Sequence, residues 1–314
     1  MTRSAPCLLF MSELDDPRVW REALQRAWPE LDVRVWPATG DPDEIDFALV
    51  WQPPPGVLGS FANLRLIVNL GAGVDAIAAD DSLPAHVPIA RLADPGQAQM
   101  MDGYVLLAVL RHHRELHRFE QARRERRWAY NYPRPHSACR VGVMGLGYLG
   151  THAARALAAQ GFDVVGWSRS AKSLPDIETH AGPEGLAAFL CAIDILVAML
   201  PATAETRRVI GRQVFYGLPR GAKFVSVGRG STVDEAALLD ALREGQIAEA
   251  TLDVFATEPL PPEHPFWEMD QVLITPHLAS AAVPETAARQ VVDNCRRVLS
   301  GQMPEYVIDR ARGY

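Results

Sequence analysis

The sequence predicts a two-domain α/β protein built on parallel sheets, and three observations carry that expectation. The chain has 314 residues, about twice an ordinary domain of roughly 150. Short apolar runs alternate with helix-like stretches, the order of strand–helix–strand crossovers. A content of 48% hydrophobic and 22% charged residues is that of a globular chain and excludes disordered, collagen-like and low-complexity architectures.

In the first third, residues 7–11, 33–36, 47–51 and 64–70 read as buried strands, with an amphipathic helix over 19–28. Pro53-Pro54-Pro55-Gly56 is a loop, and Asp94-Pro95-Gly96 a turn or hinge. A long helical pattern then spans 97–128, apolar through Met100, Met101, Tyr104, Val105, Leu107 and Ala108, and ends at Pro133-Arg134-Pro135. Its charged half, with His112, His113, His117 and the following His136, reads as a solvated or interface surface. A second alternation follows, with strands at 141–144, 164–167, 193–199, 224–227, 250–254 and 272–275. Helices fall at 149–160, 183–190 and 234–244, and a last one at 284–299. Asp234 and Glu235 suit the positive end of their helix.

Thirty-one basic against 38 acidic side chains leave a net charge of −7, which argues against a nucleic-acid surface. Glu115, Glu120 and Glu125 interrupt the one basic run. Cys7, Cys139, Cys191 and Cys295 are widely spaced, as reduced thiols in a cytosolic protein are. No His/Cys/Asp cluster has metal-ligand spacing, so no metal is expected. The first residues lack a signal peptide's long apolar region, and no run approaches a membrane span of roughly 18 residues. The chain is expected to be soluble and cytoplasmic, with no membrane partner.

The strongest local motif is Gly145-Leu146-Gly147-Tyr148-Leu149-Gly150, which follows an apolar strand and opens a helix. Gly145 permits the tight turn, Gly147 lets backbone approach a pyrophosphate, and Gly150 allows close helix packing. The helix start, Tyr148 and Leu149, then faces the phosphate charge. An NAD site places Asp or Glu at the end of the next strand to hold the ribose hydroxyls. Here that strand ends in Ser168-Arg169-Ser170-Ala171-Lys172, while Asp163 sits at its start, too far away. Arg169 puts a guanidinium where a 2′-phosphate would lie, with Ser168, Ser170 and Lys172 as further donors. The cofactor is expected to be NADPH, with NADH possible if Arg169 only stacks on adenine.

Three further residues fall at strand ends on one side of such a sheet, where ligands of open α/β folds bind. They are Arg229 in Val227-Gly228-Arg229-Gly230-Ser231, Glu258 in Leu252-Asp253-Val254-Phe255-Ala256-Thr257-Glu258-Pro259-Leu260, and His277 in Thr275-Pro276-His277-Leu278-Ala279-Ser280. Taken singly, such an Arg could be a surface ion-pair partner and such a His a helix cap. As an ordered set with the glycine loop, they make the sequence resemble the D-isomer-specific 2-hydroxyacid dehydrogenase family over nearly its whole length. Within that family it is most similar to the glyoxylate/hydroxypyruvate reductases, through Val50-Trp51-Gln52-Pro53-Pro54, Asn69-Leu70-Gly71-Ala72-Gly73-Val74-Asp75 and Trp167-Ser168-Arg169-Ser170.

The resemblance implies a Rossmann-type doubly wound dinucleotide-binding domain, residues 99–278, inserted in a flavodoxin-like α/β substrate domain, 1–98 and 279–314. Cleft closure between them would exclude water from the reaction. It implies NADPH-dependent reduction of glyoxylate to glycolate and of hydroxypyruvate to D-glycerate. Arg229 would clamp the substrate carboxylate, helped by backbone N–H groups of Leu70, Gly71, Ala72 and Gly73. His277 would supply the proton, and Glu258 would orient its ring and favour its charged form. Leu200, Pro201, Thr206, Val227, Gly228, Asp253 and Ala279 would join the cofactor site, although Asp253 could equally be a strand-end turn residue. Trp51 would line the substrate pocket or serve the core. A homodimer is implied, built from the long helix and the segment after it, where Met100, Met101, Trp128, Tyr130 and Tyr132 add apolar area.

Two alternatives stand beside this reading: a dehydrogenase for a bulkier 2-oxo acid such as phenylpyruvate, and a non-catalytic dinucleotide-sensing interaction protein. The intact Arg229, Glu258 and His277 set speaks against the second. Gly103 stands where related sequences often carry a glutamate before the tyrosine. Glycine inside a helix costs about 1 kcal/mol relative to alanine, so a packing or pocket reason is expected.

Overall fold

The structure is a computed structural model and describes residues 5–71, 73–74, 77 and 80–310. The chain forms two compact units, Met1–Gln97 with Ala281–Tyr314, and Ala98–Ser280.

In the first unit, strands β1 (Cys7–Met11), β2 (Asp32–Val35), β3 (Phe47–Val50), β4 (Leu66–Asn69) and β5 (Ile89–Arg91) form one sheet in the order β2-β1-β3-β4-β5. All its pairings are parallel, and the 2-1-3-4-5 order is the flavodoxin-like one. A parallel sheet buried on both faces needs apolar side chains both ways. Leu8 and Phe10 accordingly join one core, and Cys7, Leu9 and Met11 the other. Helix α1 (Pro17–Ala27) starts where the Asp16 side chain accepts from the Arg18 N–H and Pro17 sets the first turn. Trp20 and Leu24 of α1 bury against Phe10 and Phe47, together with Val291, Val292 and Cys295 of the last helix (Pro284–Leu299). Strand β5 carries no pattern readable in the sequence. It is three residues at an edge, bridged on its open side by the C-terminal segment through Ile308 N–H to the Ile89 carbonyl.

Asp94-Pro95-Gly96 opens a helix and is no free turn. The buried Asp94 carboxylate accepts from the Gly96 and Gln97 N–H groups at the start of α2 (Pro95–His113), and from the Val283 N–H.

The second unit carries seven strands: β6 (Arg140–Met144), β7 (Asp163–Ser168), β8 (Glu178–Ala181), β9 (Ile195–Ala198), β10 (Ala222–Ser226), β11 (Ile247–Leu252) and β12 (Val272–Ile274). Their order is β12-β11-β10-β9-β6-β7-β8, all parallel. Counted from β6 this is the 3-2-1-4-5-6 Rossmann arrangement with one strand added. On one face, α2 and α4 (Tyr148–Ala159) pack Val105, Val109, Ala153 and Leu157 against Val141, Val143 and Val197. On the other, α5 (Gly182–Leu190), α6 (Arg212–Gly217) and α7 (Glu235–Arg243) cover Leu196, Phe224 and Ala250. Each such fully buried valine, leucine or phenylalanine contributes about 1.5–3 kcal/mol. Strand β8, with its polar Glu178, Thr179 and His180 at the sheet edge, lacks the apolar signal that betrays the others.

The long helix differs from expectation in three ways. It breaks at Glu115, whose φ of 53° is left-handed. A separate α3 (Leu116–Arg124) follows and stops well before Pro133. His112 and His113 are buried and not on the surface. The His112 ring lies 3.3 Å from Glu249 and 3.0 Å from Thr251, so β11 anchors the end of α2 from inside. At Gly103, a Cβ would meet open space within 4 Å, so packing does not explain this glycine. Among the described residues no helix is long and apolar enough to cross a membrane, and no group of His, Cys, Asp or Glu could hold a metal ion.

Candidate active site

Because every strand of the second unit is parallel, the loops after β6, β7, β9, β10, β11 and β12 leave the same edge of the sheet. These loops hold the residues singled out in this half of the sequence. The order reverses between β6 and β9, which opens a crevice at that edge.

The loop after β6 fits a dinucleotide. Gly145 has φ of 114°, and a Cβ there would come within 2.6 Å of the Met199 carbonyl oxygen. A Cβ at Gly150 would lie 1.9 Å from the Gly145 oxygen, whereas one at Gly147 would meet nothing within 4 Å. Two glycines therefore let the strand and helix close up, and the third leaves bare backbone facing open space. Gly147 caps α4 without a side-chain hydrogen bond, and Tyr148, Leu149 and Gly150 form its first turn. Such a helix start is made for a pyrophosphate. Across the crevice, Gly228 approaches the Leu200 backbone so closely that a Cβ would lie 2.7 Å from its oxygen. Thr206 Oγ1 donates to the Pro201 carbonyl at 2.6 Å, and Val227 is buried beneath.

At the end of β7, Ser168 is buried and its hydroxyl donates to the Ser170 carbonyl. The Lys172 ammonium donates to the Leu146 carbonyl, which ties this loop to the glycine loop. Arg169 is half exposed and pairs with Glu205 at 2.7 Å. Asp163 begins β7 at the opposite edge and pairs with Arg140.

Arg229, Glu258 and His277 come together beside this crevice. Gly230 makes the approach possible, since a Cβ there would fall 1.9 Å from the Phe255 backbone. Only a glycine lets the Arg229 loop lie against the loop that carries Glu258. One Glu258 oxygen accepts from the Phe255 N–H at 2.9 Å, and the other lies 2.8 Å from His277 Nδ1. Partial burial pushes the Glu258 carboxyl up. The hydrogen bonds from His277 and Phe255, with the charges of His277 and Arg229, outweigh that effect and hold it below the usual carboxylate range. An ionised Glu258 accepts a hydrogen bond from Nδ1–H and leaves Nε2 to exchange a proton with a ligand.

Sequence reasoning did not anticipate how Asp253, Thr275 and Tyr104 together hold this histidine in place. His277 adopts a left-handed φ of 52°, a conformation non-glycine residues take only when surroundings impose it. Its N–H donates to the Asp253 carbonyl. The Asp253 carboxylate, 1% exposed, accepts from the Leu278 and Ala279 N–H groups, each at 2.9 Å, and from the Thr275 hydroxyl at 2.6 Å. Thr275 accepts in turn from the Tyr104 hydroxyl of α2 at 2.5 Å. Burial pushes the Tyr104 hydroxyl up to about 12, so it remains a donor. A strand-end turn role for Asp253 is what these bonds describe.

In the first unit, the buried Asn69 amide donates to the carbonyls of Gly71 and Gly73, at 2.7 and 2.8 Å, and shapes the turn after β4. Leu70 is buried. The half-buried Trp51 ring lies so close over Gly71 that a Cβ there would come within 1.9 Å of it. Ala72 lies outside the described residues.

Comparisons with known proteins agree with this architecture. The family model "D-isomer specific 2-hydroxyacid dehydrogenase, NAD binding domain" matches residues 106–279. "Glyoxylate/hydroxypyruvate reductase A" of Serratia proteamaculans is 39% identical over 312 residues, 98% of this chain and 99% of that protein. Its namesake in Yersinia enterocolitica is 38% identical, with the same 98% and 99% covered. Among solved structures, a D-isomer specific 2-hydroxyacid dehydrogenase from Xanthobacter autotrophicus, in complex with NADPH and MES, has a TM-score of 0.96 at 52% identity, covering 99% of this chain and 100% of that one. The NADPH-dependent glyoxylate/hydroxypyruvate reductase of Sinorhizobium meliloti, in complex with NADP and sulfate, has a TM-score of 0.92 at 34% identity, covering 99% and 100%. With a dinucleotide crevice and an Arg, Glu and His at its mouth, and with relatives that match end to end, the chain belongs to the D-isomer specific 2-hydroxyacid dehydrogenase family.

Proposed function

We propose that this protein is an NADPH-dependent reductase of small 2-oxo acids, taking glyoxylate to glycolate and hydroxypyruvate to D-glycerate. The His277–Glu258 pair beside Arg229, at the edge where the glycine loop opens, carries this reading. Relatives named for this activity, and related structures that hold NADPH or NADP, support it.

When bound, NADPH supplies the hydride. The Gly145–Gly150 loop and the start of α4 would hold the pyrophosphate, and Arg169 with Ser170 and Lys172 would take the 2′-phosphate, whereas the buried Ser168 hydroxyl is spent on the Ser170 carbonyl. Leu200, Pro201, Thr206, Val227 and Gly228 shape the opposite wall. Arg229 grips the substrate carboxylate in a two-pronged hydrogen bond. His277 gives its Nε2 proton to the carbonyl oxygen as negative charge gathers there, and Glu258 stabilises the ring through the change. In the first unit, Trp51, Leu70, Gly71 and Gly73 remain proposed substrate contacts.

A homodimer in the cytoplasm belongs to the same proposal. It is supported by Trp128, 97% exposed, with Tyr130 and Tyr132 also open on a segment without regular structure. Light scattering on the purified protein tests it, a monomer mass being the contrary result.

Initial rates of NADPH and NADH oxidation with glyoxylate, hydroxypyruvate and phenylpyruvate test the activity. Fast NADPH oxidation with the two small acids is expected. Preference for phenylpyruvate moves the protein to the bulkier substrates, and no turnover with any of the three acids ends the reductase reading.

A further inference from the structure

The Arg169 side chain, which the proposed function assigns to the 2′-phosphate, is already engaged. Its Nη1 donates to Glu205 Oε2 at 2.7 Å, across 36 positions of sequence. Glu205 does not hang on a loose loop. Its turn is stitched by the Thr203 N–H donating to Thr206 Oγ1 at 2.8 Å and the Thr206 N–H donating to Thr203 Oγ1 at 3.2 Å. Thr206 Oγ1 fixes the turn further on the Pro201 carbonyl. The strand end of β7 thus presents a cation, and the loop after β9 presents a carboxylate to meet it.

We propose that Glu205 is a specificity-determining residue that competes with the cofactor's 2′-phosphate for the Arg169 guanidinium. The proposal rests on the reading of Arg169 as the 2′-phosphate partner. A 2′-phosphate docking on Arg169 must displace the Glu205 carboxylate or share the guanidinium with it, so part of the gain from the new ion pair offsets the loss of the old one. A dinucleotide with a free 2′-hydroxyl brings no charge to exchange and leaves the pair intact. Glu205 therefore lowers the affinity for the 2′-phosphorylated cofactor in both its reduced and oxidised forms, and leaves the unphosphorylated one alone. Both side chains are open to solvent, Arg169 50% and Glu205 69% exposed, so the effect is that of a screened surface pair, about two- to fivefold in affinity.

The test is the dissociation constant of NADPH and of NADH, read by nicotinamide fluorescence on the purified full chain. The variants are Glu205→Gln, which keeps the shape and removes the charge, Glu205→Ala, Arg169→Gln, and the double variant Glu205→Gln/Arg169→Gln. Removing the Glu205 charge is expected to tighten NADPH about two- to fivefold and leave NADH unchanged, with the gain gone once Arg169 is glutamine. Unchanged NADPH affinity in both Glu205 variants, or equal changes for the two cofactors, overturns the proposal. A gain that persists without Arg169 also overturns it, because the carboxylate then acts by direct repulsion. If Arg169→Gln alters neither cofactor's affinity, the reading of Arg169 falls and this proposal with it. If Arg169→Gln weakens NADPH while Glu205 has no effect, only the proposal falls.

Discussion

The Glu258 carboxylate meets His277 Nδ1 at 2.8 Å, and the two residues come from loops after neighbouring strands, 19 positions apart in sequence. Replacing His277 by alanine is expected to lower kcat roughly 10²–10⁴-fold, while the dissociation constant of NADPH holds. Glu258→Gln keeps a hydrogen-bond acceptor for Nδ1 but removes the charge, so a smaller fall in kcat is expected. Because the Glu258 carboxyl is held below the usual carboxylate range, it stays ionised further into acid than an ordinary carboxylate would. Steady-state kinetics from pH 4 to 8 check both variants, and unchanged turnover in His277→Ala removes the proton-donor role.

Arg229 stands on a loop pressed against Phe255 by Gly230. Its loss is expected to raise KM for glyoxylate and lower kcat together, because a carboxylate clamp acts on the bound substrate and on the transition state. Arg229→Lys restores the charge without the planar fork and recovers little. Normal glyoxylate kinetics in Arg229→Ala contradict the clamp.

Thr275 joins Tyr104 to Asp253, and the two possible cuts in this chain differ in what they strand. Thr275→Val leaves the partly buried Tyr104 hydroxyl without its acceptor, at a cost of about 1 kcal/mol. Tyr104→Phe removes that hydroxyl, and Thr275 keeps its bond to Asp253. The valine variant is therefore expected to melt lower and lose more kcat than the phenylalanine variant, with the double variant closer to wild type. Melting curves with kcat measurements decide it, and a Tyr104→Phe as damaging as Thr275→Val counts against this account.

His112 predicts how stability changes with pH. Burial between α2 and β11 is the main cause that holds its ring below the ordinary imidazole value. Lys223 and Arg111 act in the same direction, and Glu249 opposes them. The unfolded chain then takes up the proton first. This contribution to stability is complete above about pH 6.5 and declines as the pH falls below it. His113 shifts the same way, again chiefly through burial. Melting temperatures at pH 7.5, 6.5 and 5.5 should fall in that order, and less steeply in His112→Asn. An identical slope in the variant assigns the loss to other groups.

Much of the candidate site is legible in the sequence because its parts are local. Gly145, Gly147 and Gly150 announce themselves within one strand–turn–helix. Arg229, Glu258 and His277 each follow an apolar run that reads as a strand. Asp163 stands at the start of β7, as its place in the sequence implies, and pairs with Arg140. The basic run that begins in the last turn of α2 misleads, because charge density there hides His112 and His113, which turn inward. Strands β5 and β8 escape because Ile89-Ala90-Arg91 is too brief, and Glu178-Thr179-His180-Ala181 too polar, to stand out as an apolar run.

By itself, the sequence determined the alternation of strands and helices, the nucleotide loop and the order of the chemical residues, since each depends on neighbours a few positions away. Tertiary structure alone decided which distant groups share a hydrogen bond: Arg169 with Glu205, His112 with Glu249, and Tyr104 with Thr275 across 171 positions. It also decided that His277 takes a left-handed turn, because the Asp253 carboxylate gathers two backbone N–H groups and a hydroxyl around it. The reason is that a hydrogen bond forms only when the fold brings donor and acceptor within about 3 Å of each other, and no short-range pattern in the chain encodes that meeting.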